Sequence, residues 1–235
     1  MGERIEFTSR LEKREAIAAL VYLPVHVFLL PVLLGFAVSL GLLGETSDAA
    51  LNLIYYGVGI VYMFLFLRRF LRRDFDPLCD RPLRCLLEIC ICYGLMLVLN
   101  LCVNRLLSLM PLDNPNNAAI SDMAGMEYGK VAAMAVFMAP IIEELMFRAG
   151  IFGLLRRCSR VLGYAVSIVA FSLYHVWSYA LWNPSYWIYA LQYVPVSYLL
   201  CRCYEKTNSI WSSIFLHMFI NGVSVRALML MEELL

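Results

Sequence analysis

Long apolar stretches alternate with short polar ones along the whole chain. Crossing a hydrocarbon core of about 30 Å takes about 20 largely apolar residues, and seven stretches approach that length. The pattern therefore predicts an all-α, polytopic transmembrane helix bundle of about seven spans, within a range of six to eight. The predicted spans run from Ala16 to Gly41, Leu51 to Leu67, Leu83 to Leu109, Val131 to Leu155, Val161 to Trp182, Ser185 to Cys203 and Ile210 to Met231.

Composition and charge support this class and set an orientation. The 235-residue chain is 62% hydrophobic, with a mean hydropathy of +0.72, whereas soluble domains are about half apolar. Arginines concentrate in alternate loops, above all between Arg68 and Arg84, so the positive-inside rule places the N-terminus in the cytoplasm. These clusters indicate topology and predict no nucleic-acid partner. A short chain without a targeting signal or large soluble domain favours a multi-pass protein of a bacterial plasma membrane.

Three ionisable residues interrupt the fourth apolar stretch, where each costs at least about 2.5–3.5 kcal/mol to insert. Glu144 and Arg148 are four residues apart and therefore share a helical face, which predicts an ion pair. Glu143 points elsewhere and has no cation of its own, so it suits general acid and base catalysis. Pro140 predicts a kink just before these residues.

Two later spans contribute polar residues at a similar predicted depth. His175 lies in the fifth span, and His217 and Asn221 share a helical face in the seventh. A lone buried histidine is more often structural than functional, and His26 in the first span receives no function for this reason. Three polar-bearing helices together predict one cluster near the middle of the membrane.

These residues form three motifs that resemble the CAAX-protease and bacteriocin-processing family, abbreviated CPBP and also called ABI. The resemblance covers residues 130–231. We therefore expect one integrated membrane domain, with residues 1–129 as N-terminal helices and an Arg-rich cytoplasmic loop, and residues 130–235 as the catalytic helices. The motifs are Glu143-Glu144-x-x-x-Arg148, Phe171-x-x-x-His175 and His217-x-x-x-Asn221.

The resemblance implies an intramembrane endopeptidase that acts on a membrane-embedded or lipidated peptide within the lipid bilayer. The eukaryotic relative removes the last three residues of prenylated CAAX proteins, and bacterial members process or protect against peptides such as bacteriocins. By resemblance, Glu143 activates water, His175 positions it, and His217 and Asn221 stabilise the oxyanion. Three further side chains would support these four: Glu144, Arg148 and Phe171.

Several alternatives stay open at this stage. Zinc bound by Glu143, His175 and His217 is one mechanism, and a metal-independent glutamate mechanism, which we favour, is the other. The sequence contains no HExxH motif, no GxGD motif and no rhomboid-type GxSG motif. Outside protease chemistry, the same polar cluster would suit a non-catalytic membrane regulator or immunity protein, or a proton-coupled transporter.

Overall fold

The computed structural model describes residues 6–110 and 113–232, and every regular element in these ranges is helical. A 3₁₀ turn, Pro184–Tyr189, precedes the ninth helix. The helices, in chain order, are α1 (Lys13–Ser39), α2 (Asp48–Arg73), α3 (Asp76–Asp80), α4 (Pro82–Leu107), α5 (Pro115–Ala132), α6 (residues 133–155), α7 (Arg160–Tyr174), α8 (Trp177–Trp182), α9 (Ala190–Thr207) and α10 (Ile210–Glu232).

Three helical stretches within the described ranges are long and apolar enough to cross a membrane: Lys13–Ser39, Asp48–Asp80 and Pro82–Leu107. They agree with the first three predicted spans. Helix α7 is apolar but has only 15 residues. The all-helical membrane class is thus supported, whereas the count of about seven spans is not confirmed, because only these three stretches of the described residues have the required length and hydropathy.

Several predicted boundaries in the second half of the chain were wrong. The stretch around Pro111 to Gly129, expected to be a loop, contains α5. Asn114 caps that helix by accepting the backbone N–H of Asn116 at 3.0 Å, and Pro115 occupies the first turn, where proline is favoured. The fifth span was predicted to continue to Trp182, but in the structure α7 ends at Tyr174 and a short turn separates it from α8.

A π-helical turn at the start of α6 leaves one carbonyl without a backbone donor. The N–H of Ala139 bonds to the carbonyl of Met134, five residues earlier. The next bond in that ladder would join Pro140 to Ala135, but proline has no N–H. The side-chain amide of Asn221 donates to the Ala135 carbonyl instead, at 2.8 Å. In the structure Pro140 therefore leaves a free carbonyl, which ties α6 to α10, and the predicted kink stays a prediction.

Helix α1 repeats this arrangement. The N–H of Leu30 bonds to the carbonyl of Val25, and the next bond would require an N–H from Pro31. The hydroxyl of Tyr55 donates to the freed His26 carbonyl at 2.8 Å. In both cases a side chain from another helix satisfies a backbone group that proline has left unpaired, as a low-dielectric setting demands.

The second π-helical segment of α6, Glu144–Phe152, lies at the centre of the molecule. It packs against α1, α7, α9 and α10, and all residues from Glu144 to Gly150 are buried. The main core joins both halves of the chain, since it includes Met63 of α2 together with Leu145 and Leu216. The charged residues of α6 are therefore enclosed by protein.

Candidate active site

Glu143 faces two imidazoles from different helices. Its Oε2 atom lies 3.8 Å from Nε2 of His175 and 3.8 Å from Nε2 of His217. Glu143 ends a short α-helical stretch between the two π-helical segments of α6, and only 3% of it is exposed. Both gaps exceed hydrogen-bond length, so each leaves room for a bridging atom or water. The structure thus brings the three predicted residues together.

The partners of each imidazole identify its tautomer. Nδ1 of His175 lies 2.8 Å from the carbonyl oxygen of Phe171, and a carbonyl can only accept. Nδ1 of His217 lies 2.8 Å from a carboxylate oxygen of Glu144. Both Nδ1 atoms therefore carry a proton, and in the neutral rings both Nε2 atoms present a lone pair towards Glu143.

Glu144 connects three side chains beneath the site. Its Oε1 atom accepts from His217 and lies 3.0 Å from Nη1 of Arg148, which confirms the predicted ion pair. Its Oε2 atom accepts from the hydroxyl of Ser213 at 2.5 Å. Ser213 was not predicted, although the spacing Ser213, His217, Asn221 places all three on one face of α10.

Arg148 is fully buried, and two contacts besides Glu144 hold it there. Its Nη2 atom donates to the hydroxyl of Ser197 at 3.2 Å, and its guanidinium lies 4.0 Å from the ring centre of Phe171. The Phe171 ring also packs 4.5 Å from the ring of His175. Phe171 therefore combines a cation–π contact with support of the His175 ring.

Asn221 lies beside this cluster and is half-buried. One proton of its NH₂ group is used on the Ala135 carbonyl. The same group carries a second proton and can donate again. The bond to Ala135 thus fixes the orientation of the side chain that the family resemblance assigns to the oxyanion.

An aromatic ring that the sequence reasoning missed covers His175. Tyr193 stacks on the imidazole, with ring centres 4.2 Å apart and an interplanar angle of 20°. Its hydroxyl accepts from the side chains of Asn114 and Asn116 at 3.1 and 3.0 Å. No periodic signal marks this pair of amides, because they lie at the start of a helix that was predicted as a loop.

His26 is also closer to the site than the sequence suggested. It is fully buried in α1, and its Nε2 atom lies 3.2 Å from the hydroxyl of Tyr174, the residue before His175. The hydroxyl of Tyr174 in turn lies 3.4 Å from that of Tyr56. His26 therefore links α1 to the helix end that carries His175. The tyrosines that surround His26, among them Tyr55 and Tyr56, are the sequence feature that could have indicated its contacts.

Two cavities meet at His175 and Asn221, which line both. The first, which we name the aromatic cavity, measures about 350 Å³ and has Glu143 in its wall. The second, the amide cavity, measures about 330 Å³ and includes His217. Both volumes fall within the range of roughly 300–1,000 Å³ that is common for ligand sites. The aromatic cavity is named for Tyr55, Tyr56, Tyr174, Trp177 and Tyr179, and the amide cavity for Asn100, Asn116, Asn117, Gln192 and Asn221.

The three facing atoms are spaced more widely than the ligands of a zinc ion. Zinc bonded at about 2.0–2.1 Å in a tetrahedral site would bring its ligand atoms to roughly 3.3 Å from one another. The carboxylate and each imidazole are 3.8 Å apart. Across the described ranges, no group of three or more His, Cys, Asp and Glu side chains is arranged to hold a metal ion.

Comparison with known proteins supports a reaction class. Residues 129–223 match the family described as Rce1-like, type II CAAX prenyl endopeptidase Rce1-like. The match confirms the resemblance to the CAAX-protease family and contains all seven residues of its motifs. At the level of the family it supports an intramembrane endopeptidase. Searches of curated proteins and of solved structures found no match.

Proposed function

We propose that this chain is an intramembrane endopeptidase that hydrolyses a membrane-embedded or lipidated peptide with water activated by Glu143. The observation that carries the proposal is the convergence of Glu143 on the Nε2 atoms of His175 and His217. The family match over residues 129–223 supports the reaction class. The two cavities beside these residues offer space for a substrate.

In the proposed first step, water lies between Glu143 and His175. It donates one hydrogen bond to Nε2 of His175, which is an acceptor because Nδ1 is protonated. Glu143 takes the other proton as the water oxygen attacks the carbonyl carbon of the peptide. General base catalysis of this kind contributes about 10²–10⁴-fold in rate.

The tetrahedral intermediate carries a negative oxygen, which we assign to Asn221 and His217. Asn221 would donate its second amide proton. His217 would enter the reaction with a proton on both ring nitrogens and keep both throughout. It would donate from Nε2, while Nδ1 donates to Glu144, which is itself held by Arg148. Donors fixed in advance in a dry site stabilise a developing oxyanion strongly.

In the last step, Glu143 returns its proton to the leaving nitrogen as the carbon–nitrogen bond breaks. The products are a carboxylic acid and an amine, and the carboxylate of Glu143 is restored. Every proton in this scheme moves between water, Glu143 and the peptide. No step passes through a metal ion.

The orientation and location belong to the same proposal. Arginines at the C-terminal end of α2, at the start of α4 and in the loop after α6 support a cytoplasmic N-terminus. A bacterial plasma membrane is proposed together with this orientation. A reporter that is active on only one side of the membrane, inserted at Arg81 between α3 and α4, would measure this orientation. Activity on the outer side would contradict the assignment.

The proposed function is tested with Glu143→Gln, which keeps the shape of the side chain and removes the base. Proteomics of membrane peptides from cells producing either protein should reveal new peptide termini with the wild type only. With purified protein in lipid nanodiscs, cleavage of those peptides should fall about 10²–10⁴-fold.

Glu12→Gln is the matched control, since Glu12 is an exposed carboxylate whose side chain is 65% accessible. It should cleave like the wild type. Undiminished cleavage by folded Glu143→Gln would refute the proposal. Adding a chelator, followed by zinc, separates the two mechanisms: activity that survives chelation supports the glutamate mechanism, and activity restored only by zinc contradicts it.

A further inference from the structure

A chain of buried hydroxyl and imidazole groups runs from α1 to the wall of the aromatic cavity. Nδ1 of His26 lies 3.3 Å from the hydroxyl of Tyr22, and Nε2 lies 3.2 Å from the hydroxyl of Tyr174. The chain continues from Tyr174 to the hydroxyl of Tyr56 in α2, 3.4 Å away. Three of these four residues precede residue 129, where the family match begins, and the proposed chemistry uses none of them.

The hydroxyl of Tyr22 fixes the tautomer of His26. Tyr22 is buried, and among the described residues its hydroxyl has no acceptor other than Nδ1 of His26. A buried hydroxyl proton without an acceptor is costly, so Tyr22 donates and Nδ1 carries no proton. Both nitrogens of the fully buried ring face neutral hydroxyls, which keeps the imidazole neutral. Its single proton is therefore on Nε2, which donates to the oxygen of Tyr174.

The direction of these hydrogen bonds leaves the proton of Tyr56 unused. Tyr174 accepts from His26 and can donate its own proton to the oxygen of Tyr56. The Tyr56 hydroxyl has no second hydrogen-bond partner among the described residues. It lies within electrostatic reach of the Glu143 carboxylate, and Tyr56 lines the aromatic cavity together with Glu143. Tyr56 therefore presents an oriented donor beside the proposed base.

The position of Tyr56 relative to the two cavities indicates what this donor would bind. Glu143 lines the aromatic cavity and not the amide cavity, whereas the reverse holds for His217. In the proposed mechanism Glu143 returns its proton to the leaving nitrogen, so the segment that leaves lies on the side of Glu143. A peptide carbonyl buried there needs a hydrogen-bond donor.

We propose that Tyr56 donates a hydrogen bond to the first peptide carbonyl after the scissile bond, with His26 and Tyr174 as positioning residues that orient its proton. The position of the scissile bond in this inference rests on the proposed function. A single neutral hydrogen bond contributes about 3–10-fold, which is the effect expected on kcat/KM. His26, to which the sequence assigned no function, would thus act on the substrate through two tyrosines.

The orientation of the chain is measured without any substrate. Solid-state NMR of full-length wild-type protein in nanodiscs, with isotope-labelled histidine, shows which nitrogen of each ring carries a proton. The chain contains three histidines, and Nδ1 of both His175 and His217 faces an acceptor. A ring with a bare Nδ1 and a protonated Nε2 is therefore His26, and we expect to find it. Its absence from the spectra overturns the proposed orientation.

Cleavage by purified protein in nanodiscs tests the role of Tyr56, with synthetic copies of the membrane peptides that the wild type cleaves as probes. Tyr56→Phe keeps the ring, removes the donor and should lower kcat/KM about 3–10-fold. Tyr62→Phe is the matched control on the same helix, because its hydroxyl donates to the Ala18 carbonyl at 3.1 Å and it does not line the aromatic cavity. It should cleave like the wild type. An equal loss in both variants overturns the role of Tyr56.

Two further measurements separate positioning from packing. His26→Phe should lower kcat/KM by up to about tenfold but change nothing in the Tyr56→Phe background, because the two residues act through one bond. Additive losses overturn the role of His26. If His26→Phe does not fold, Tyr22→Phe takes its place, since it removes the group that fixes the tautomer. The acid limb of the pH–rate profile should stay in place in Tyr56→Phe, and a shifted limb assigns the proton to Glu143 and overturns the proposed acceptor.

The outcomes separate this inference from the proposed function. If Glu143→Gln loses cleavage and Tyr56→Phe does not, the protease proposal stands and this inference is wrong. If the tautomer of His26 is the expected one but wild-type protein cleaves no membrane peptide, the orientation of the chain stands. The protease proposal and the substrate contact of Tyr56 then both fail.

Discussion

The first three long helices and α6 bury opposite kinds of side chain. In the most apolar windows of α1, the α2–α3 stretch and α4, only 28%, 17% and 11% of residues are buried, so large aliphatic side chains face outwards. In α6 the residues from Glu144 to Gly150 are all buried, including Glu144 and Arg148. In a membrane, apolar side chains on the outer surface contact lipid tails, and polar side chains pair with one another inside the helix bundle.

The two regions nevertheless depend on each other. Gly59 of α2 allows α6 to approach closely, because a Cβ atom there would lie 2.5 Å from Ile142 and 2.7 Å from the hydroxyl of Tyr22. His26 joins α1 to Tyr174, next to His175. Helices α1 and α2 therefore pack against the helices that carry the site, although they contribute no residue of its motifs.

The largest difference between the two regions should be the loss of unfolding free energy when an ion pair is broken. Glu144→Gln leaves Arg148 buried without its carboxylate, which typically costs about 3–5 kcal/mol of stability. Glu12→Gln breaks the pair with Arg73 in the first region, where the side chains are 65% and 43% exposed, and should cost about 0–1 kcal/mol. Thermal unfolding in one detergent measures both. Similar losses for the two variants would remove the distinction.

The two proline-freed carbonyls should separate stability from catalysis. Asn221→Ala and Tyr55→Phe each leave one carbonyl unpaired, and each should destabilise the fold by about 1–3 kcal/mol. Only Asn221→Ala removes a proposed oxyanion donor, so its rate should fall about 10²–10³-fold. Unfolding and cleavage rates of both variants check this. An equal loss of rate in Tyr55→Phe would assign both effects to structure.

The smallest expected change in stability concerns Glu205, near the C-terminal end of α9, where Arg202 and Lys206 also lie. Burial alone raises the pKa of its carboxyl, but hydrogen bonds from Arg160, Arg156 and Tyr164 outweigh it and place the pKa below the ordinary value. The ionised form therefore stabilises the folded state. This contribution is present above the ordinary pKa of about 4.3 and is lost as the pH falls through the folded-state pKa.

Glu205→Gln should thus lower Tm at neutral pH, by an amount that corresponds to about 0.5–1 kcal/mol, because the Arg160 side chain is 60% exposed and water screens the interaction. The gap between wild type and variant should close in acid, because protonation of the wild-type carboxyl removes the same interaction. Unfolding scans across the acid range measure the gap. A gap that stays constant at all pH values would contradict the role given to ionisation.

Much of the candidate site was predictable, since its residues carry strong local signals. Glu143, Glu144 and Arg148 are conspicuous because charges are costly within an apolar stretch, and the Glu144–Arg148 pair follows from helical spacing. Ser197, Tyr193 and Asn114 were missed. Their contacts join residues distant in sequence, and nothing in their own neighbourhood distinguishes them from ordinary serines, tyrosines and asparagines.

The sequence by itself determined the helical membrane class, the ion pair of α6 and the resemblance to CAAX proteases, because hydropathy, helical spacing and short motifs are local properties. Only the tertiary structure decided that Glu143 lies equally far from two imidazoles and that both rings direct Nε2 towards it. It also decided that Asn221 donates the hydrogen bond to the Ala135 carbonyl that Pro140 cannot donate. These features depend on how the helices pack and on which buried donor forms a hydrogen bond with which buried acceptor. Such choices follow from the whole bundle, since every buried donor or acceptor needs a partner somewhere within it.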